Sequence, residues 1–430
     1  MAPSASVVAA LARPGRWDPV ALAERLAAAP GWSGPDEIGD VAGKLLGRWR
    51  STPRAPADRF EQQVAALPAL PRRHLRDEAP PPARWRWPVE PWTDVPAVAR
   101  ALHLDDGELA WFADPGGWLR HISGPLTHYR RRWVPARSGT PRLIESPAPR
   151  LAELQRRVVR RVLAAIPVHD AAHGYVRGRG PHTLARIHSG RPMLLRLDLE
   201  GFFSHVTGAR LAGLLEAAGY PPAVARTLAG LLVTATPPAV LRGCPATAAG
   251  ADPDPRRRLL DRLAAPHLPQ GAPSSPVAAN LLAHRLDRRL AGLATAVGAR
   301  YGRYADDLVF SGDADLPVHG LIARITTVAA EEGFRVRPGK TRIAPAQHRQ
   351  RVTGLIVNST APAPSRRDYD ELRALLHNAA RTGPDAQNRD GNPAFREHLL
   401  GRIAWVGSGR PRRAATLHGL FDRIGWDRRR

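Results

Sequence analysis

The stretch Arg303-Tyr304-Ala305-Asp306-Asp307-Leu308-Val309-Phe310 constrains this chain more than any other. Two adjacent aspartates sit between apolar, β-prone runs. The pattern predicts two short strands, Tyr301 to Ala305 and Leu308 to Phe310, with Asp306-Asp307 as the tight turn joining them. Such a hairpin holds two carboxylates side by side on a rigid support. Like charges that close repel, and a cation lowers the cost. Taken alone, an Asp-Asp pair is an ordinary surface turn. A second site changes that reading. Met193 to Leu199 is an apolar strand interrupted by Asp198 and followed at once by Gly201-Phe202-Phe203-Ser204. A carboxylate in a core-grade strand is costly unless it is paired or binds metal. Asp198 is therefore the natural third carboxylate.

The 430 residues suffice for two or three domains with a sizeable core. Lys and Arg number 63 against 39 Asp and Glu, a formal net charge of +24. That excess favours a polyanionic partner, nucleic acid first. Part of it reflects a general abundance of Ala, Arg and Pro. The single cysteine, Cys244, excludes a disulfide framework or a multi-Cys zinc site within the chain. No apolar run approaches membrane-spanning length and no signal-peptide pattern opens the chain, so the expectation is a cytoplasmic protein with no membrane partner. Only Lys44 and Lys340 are lysines; nearly every other cation is Arg. Arg does not release a proton near neutral pH and Lys does so more readily, which makes a lysine in this chain a candidate for proton chemistry, chance occurrence being the alternative.

Residues 1–104 form an Ala/Pro/Arg/Trp-rich extension with helical patches at Pro19 to Ala29 and Asp36 to Arg50. Its tryptophans could stack on bases, but docking onto the chain's own domain is the preferred reading. Ala136 to Ile144 reads as a hairpin with a Ser-Gly turn flanked by Arg137 and Arg142. Cations there could clamp a triphosphate or phosphodiester, or form a solvated basic face. His173 to Gly180 is a Gly/Arg-rich loop suited to phosphate contact, and the following helix carries His188, read as a packing residue. Residues 207–233 predict two helices, and 236–266 a loop or insertion with a short helix. Leu268-Pro269-Gln270-Gly271-Ala272-Pro273-Ser274-Ser275-Pro276 is a stiff loop feeding a helix to about Leu293. Its small residues would let a base pair approach the backbone. Arg351 to Asn358 predicts a strand or hairpin, Ala361 to Pro364 a hinge, and the remainder three helices suited to gripping a duplex by its phosphates.

The order of these motifs resembles bacterial retron-type reverse transcriptases. The sequence runs strand Asp198 with Phe202-Phe203, then Leu268 to Pro276, then Tyr304-Ala305-Asp306-Asp307, then Gly339-Lys340-Thr341, then Val352-Thr353-Gly354-Leu355. The likeness covers about Arg130 to the C-terminus. It implies an α+β right-hand polymerase fold: fingers at 105–192, an antiparallel palm at 193–358 carrying the aspartates, and a helical thumb at 359–430, behind the mostly helical or irregular extension 1–104. It implies RNA-directed DNA polymerase chemistry with two Mg2+ ions, about 3.5–4 Å apart, or Mn2+ in their place. By resemblance, Asp198, Asp306, Asp307 and the Leu199 carbonyl hold the metals, and Lys340 donates a proton to pyrophosphate. Arg137, Arg142, Phe203, Gln270 and Gly271 bind the nucleotide, with Phe203 as the steric gate against a 2′-hydroxyl. Tyr304, Ser274, Val352, Thr353 and Gly354 lie along template and primer. Implied partners are dNTPs, a structured noncoding RNA template, the DNA product or RNA–DNA duplex, and an effector protein of an antiphage system. Two positions depart from the pattern: Leu184 stands where retron enzymes often carry Asn, and Ala136 where Lys is common.

Two rival readings use the same residues. One is a related enzyme with group II intron-like or untemplated synthesis. The other is a non-enzymatic, basic RNA-binding protein on a polymerase-like scaffold.

Overall fold

A computed structural model of the chain describes residues 18–27, 38, 41–42, 45, 84–117, 127–135, 140–246 and 254–426. Contacts divide the chain into two units. The first comprises Met1–Ala83 and Asp114–Ser123; within it, helix α1 (Pro19–Ala27) starts on Asp18, whose carboxylate accepts from the Ala21 amide, and buries Leu22 and Leu26. The second comprises Arg84–Ala113 and Gly124–Arg430 and holds every feature below.

Its first segment is pinned by aromatics. Trp85 packs edge-on to Tyr220 at 4.9 Å, and the Tyr220 hydroxyl donates to the Glu90 carbonyl at 2.7 Å. Among the described tryptophans of the extension, Trp85 and Trp92 pack on Tyr220 of their own domain, while Trp17, Trp32 and Trp49 lie outside the described residues. Helices α2 (Val95–Leu102) and α3 (Asp106–Ala113) follow, α2 capped by the Asp94 carboxylate. Strands β1 (Tyr129–Val134) and β2 (Arg142–Pro147) pair antiparallel, and α4 (Pro149–Arg161) buries Leu151, Leu154 and Val158. Then come α5 (Pro181–His188), β3 (Met193–Asp198), α6 (Gly208–Ala218) and α7 (Pro222–Leu232).

The 236–266 stretch, expected to be a loop or insertion with a short helix, contains two, α8 (Pro238–Arg242) and the three-turn α9 (Asp254–Ala264). Leu259 and Leu263 of α9 pack on Leu143 of β2, so tertiary burial sustains a helix that the Pro/Gly-rich flanks conceal. The expected single helix after Pro276 is two, α10 (Ser275–Leu282) and α11 (His284–Ala296), broken at Ala283.

Strands β4 (Arg300–Tyr304) and β5 (Asp307–Gly312), helix α12 (Val318–Glu331) and β6 (Arg342–Pro345) complete a four-stranded antiparallel sheet of order β4-β5-β3-β6. Its central strands are covered on both faces, which explains their near-continuous apolar sequence. Leu195, Leu197, Leu308 and Phe310 enter the main helical core, while Leu194 and Val309 face α5 and the short pair β7 (Arg351–Val352) and β8 (Leu355–Ile356). Last come α13 (Arg366–Thr382), opened by a Ser365–Asp368 capping box, α14 (Phe395–Gly407) and α15 (Pro411–Phe421). They enclose a separate core around Leu372, Leu376, Leu399, Ile403 and Leu417. Among the described residues no helix is long and apolar enough to cross a membrane.

Candidate active site

The hairpin turn is shifted by one residue from the expectation. Tyr304 pairs directly with Asp307, so Ala305 and Asp306 form the turn and Asp307 opens β5. Ala305 adopts a left-handed φ of 55°, unfavourable for a residue with a Cβ. Its surroundings enforce it. The fully buried Arg303 donates to the Ala305 carbonyl at 3.0 Å and to the Asn280 side chain at 3.0 Å. The same guanidinium forms a two-point ion pair with buried Asp287, at 2.8 and 2.7 Å, and Asp287 also accepts from the Tyr301 hydroxyl at 2.8 Å. Asn280 in turn donates to the Gly174 carbonyl at 2.7 Å. Gly174 lies flat on the turn: a Cβ there would come within 2.7 Å of the Ala305 nitrogen. The network thus bolts β4, α10, α11 and the 171–174 loop to one turn.

Sheet register brings the third carboxylate alongside. Asp198 sits opposite Asp307, and the Leu199 amide donates to the Asp306 carbonyl at 2.9 Å. Burial, then the charges of Asp198 and Asp307, push the Asp306 carboxyl above its ordinary range. Cations answer this. Lys340 Nζ donates to Asp198 Oδ2 at 2.8 Å, Arg337 Nε lies 3.5 Å from Oδ1, and Arg196 reaches Asp307 at 3.2 Å.

Among the described residues no three acidic, His or Cys side chains are already gathered as a metal-ligand set; Asp198 and Asp307 are paired with these cations. The donor chemistry still suits a hard divalent ion. Asp198 Oδ1 is buried with no hydrogen-bond partner, and three mutually repelling carboxylates meet at one strand end.

A cavity of about 280 Å3 opens beside the turn, lined by Arg142, Phe203, Gln270, Asp306, Arg337 and Lys340. A second, of about 470 Å3, is lined by Gln270, Gly271, Pro273, Ser275 and Arg156. Tyr175, Phe203 and Gln270 line both.

The profile of the reverse transcriptase (RNA-dependent DNA polymerase) family matches residues 134–357. The retron Mx65 reverse transcriptase of Myxococcus xanthus is 39% identical over 80% of this chain and 75% of its own length. The chain belongs to the reverse transcriptase family. It is of the retron type, an RNA-directed DNA polymerase. The retron Mx162 reverse transcriptase of the same organism is also 39% identical, over 72% of this chain and 62% of its own length. A structure of telomerase from Candida albicans aligns with a TM-score of 0.37 and 11% identity, over 67% of this chain and 54% of that one.

In this reverse transcriptase the anticipated nucleotide-binding residues divide by position. Arg142, Phe203 and Gln270 face the first cavity, while Arg137 lies outside the described residues. Gly271, at φ 127°, lays its backbone on Glu145 of β2, and the Glu145 amide donates to the Gln270 carbonyl at 2.8 Å. The side chains of Ser274 and Val352, expected along template and primer, are fully buried, Ser274 just before α10 and Val352 in the β7–β8 pair. Thr353 takes a left-handed φ of 47° and donates to the Pro181 carbonyl at 3.2 Å, and Gly354 lies under the half-exposed Trp405 ring. Tyr304 is half-buried, 6.3 Å from the Tyr175 ring.

Several cavity-lining residues were not singled out in the sequence. Arg262 sits on α9, within the stretch expected to be a loop or insertion with a short helix. Glu200 lies between Asp198 and Phe202-Phe203, and Arg337 just precedes Gly339-Lys340-Thr341, neither belonging to the motif. Tyr175, in the Gly-rich loop, is left-handed at φ 60° and half exposed, a backbone state its sequence does not announce.

Proposed function

We propose that Asp198, Asp306 and Asp307 form the nucleotidyl-transfer centre of this RNA-directed DNA polymerase, on a palm-type sheet at 193–358, with fingers at 105–192 and a helical thumb at 359–430. The observation that carries the reading is the β3–β5 register, which sets Asp198 against Asp307 with Asp306 at the mouth of a cation-lined cavity. The cavity suits a dNTP. Arg142, Arg337 and Lys340 offer charge to the phosphates, and Phe203 closes the side where a 2′-hydroxyl would project. Bound divalent cations, two Mg2+ or Mn2+ held by the three carboxylates and the Leu199 carbonyl, supply Lewis-acid stabilisation of the attacking and leaving oxygens. Asp306, with the raised proton affinity of its crowded site, is the group whose charge such cations most relieve. Lys340, within hydrogen-bond reach of Asp198, is placed to pass a proton to departing pyrophosphate. The RNA template, a structured noncoding RNA, and the DNA product then run past Gln270 and Gly271 towards the thumb.

The test is primer extension on a defined RNA template. Asp306→Asn abolishes it while the far-ultraviolet spectrum and melting temperature hold. Sequencing the product separates templated copying from untemplated addition. Undiminished synthesis by the Asn variant sinks the assignment.

A further inference from the structure

Glu200, two residues beyond Asp198, is a buried carboxylate with no part in the triad. Three arginines surround it. Arg262 donates to Oε1 at 3.0 Å, Arg258 lies 3.5 Å from Oε2, and Arg335 4.0 Å from the same oxygen. Arg262 does more than neutralise. Its Nε donates to the Ser204 hydroxyl at 3.2 Å, so one guanidinium bridges Glu200 and Ser204. Ser204 donates on to the Gly201 carbonyl at 3.0 Å. The turn 201–204 is folded tightly beneath this bridge. Gly201 is left-handed at φ 53°, and a Cβ there would lie 2.7 Å from Ser204 Oγ and 3.2 Å from Arg262 Nη2.

Phe203 rides on that turn. The turn's ends are fixed by backbone bonds, from Glu200 to the Arg335 carbonyl at 2.7 Å and from Leu268 to the Val206 carbonyl at 3.2 Å. Phe202 is fixed by stacking on Phe334 at 5.8 Å. Phe203 has only tilted ring neighbours, Phe202 at 5.6 Å and Tyr175 at 6.4 Å. Across the turn, the Arg262 fork ties Ser204 to Glu200, beside the bonds that the Ser204 hydroxyl and the His205 amide donate to the Gly201 carbonyl. Arg forks of this kind set geometry as well as charge.

We infer that Arg262 of α9 is a positioning residue for sugar selection: through Glu200 and Ser204 it holds the Phe203 turn at the height that admits a 2′-deoxyribose and excludes a ribose. The inference rests on the reading of Phe203 as the gate. It gives the 236–266 segment a role in discrimination, since α9 lines the cavity through Leu259, Arg262 and Leu263 and Arg262 alone of these bridges Glu200 and Ser204. Loss of Arg262 leaves Glu200 with two other arginines, so the fold tolerates the change.

The experiment measures single-nucleotide incorporation by the full-length enzyme on an RNA template, taking kcat/KM for dCTP and for CTP. Phe203→Val is the control for the gate and lowers the dCTP:CTP preference. Arg262→Met lowers the same preference by about tenfold, through gained CTP use, and Arg262→Lys, which keeps charge but not the fork, falls between. Phe203→Val with Arg262→Met discriminates no worse than Phe203→Val alone, because both act on one element. If Arg262→Met instead raises KM for dCTP and CTP in equal proportion, Arg262 binds phosphate directly and the inference is overturned. If Phe203→Val leaves the preference intact, the gate reading fails and takes the inference with it. Should Arg262→Met not fold, Ser204→Ala removes one arm of the bridge and must move the preference in the same direction; an unchanged preference overturns the inference.

Discussion

The aspartate hairpin and the C-terminal helical module are built on opposite plans. Around the hairpin, the deepest side chains are charged or polar: Arg303, Asp287, Asn280 and the Tyr301 hydroxyl satisfy one another in a closed network. In α13–α15 the interior is wholly apolar, and the ion pairs, such as Arg367–Glu371 at 2.6 Å, lie outside. A hydrophobic core tolerates small shifts of position; a hydrogen-bonded ion network does not. The first plan suits a turn that must hold carboxylates to fractions of an ångström. The second suits a platform with its charges on the outside, the arrangement that the proposed grip on a duplex would need.

Breaking the network should therefore cost most. Asp287→Ala strands the Arg303 guanidinium without its counter-charge in a fully buried site, an expected loss of about 3–5 kcal/mol. Primer extension should fall with it, because Arg303 also holds the Ala305 carbonyl. Denaturant unfolding monitored alongside activity tests this, and a variant as stable as the parent would show the network to be dispensable. In the helical module, Ile403→Ala removes a fully buried side chain and should cost about 2–4 kcal/mol through the cavity left behind. Because that core is separate, hydrogen exchange should quicken in α13–α15 while β3 and β5 stay protected. Equal quickening in the sheet would show that the two regions unfold as one.

A pH dependence sharpens the contrast. His188 is buried beneath the sheet, bonded through Nδ1 to Ser311 at 2.8 Å, and burial lowers its pKa from the ordinary 6.5 to about 3. The unfolded chain takes up this proton first, so the contribution is intact above pH 6.5 and is lost as pH falls from there towards about 3. The slope over that window is roughly 1.4 kcal/mol per pH unit. His188→Gln should flatten the acid limb of the stability profile; an unchanged limb would assign the acid sensitivity elsewhere.

The parts of the site legible in the sequence were those where a residue contradicts its local context. Asp198 stands out inside an apolar strand, and an Asp-Asp turn stands out between β-prone runs. What stayed hidden depends on partners far along the chain. Arg303 reads as one arginine among many, and only the fold shows it encased by residues from α10 and α11. Arg262 was concealed because its helix is stabilised by contact with Leu143 and not by a strong pattern of its own. The turn was misplaced by one residue because Ala305 accepts a left-handed φ that only Gly174 and Arg303 make tolerable. The full burial of the Ser274 and Val352 side chains was likewise not legible, because it depends on partners distant in sequence.

The smallest effect lies on the module's surface. Arg367 and Glu371 form an i,i+4 pair in which both side chains are largely exposed, at 82% and 52%. Water and salt screen such a pair, and its ordering entropy offsets the attraction. Arg367→Ala should thus leave the melting temperature unchanged, in contrast to Ile403→Ala on the same three-helix module. If the module grips a duplex through phosphates, the same variant should lower the slope of log affinity against log salt by about one, uniformly across sequences. A fall in melting temperature with an unaltered salt slope would reverse the division of labour, making the surface charges structural and leaving the apolar core without a platform to serve.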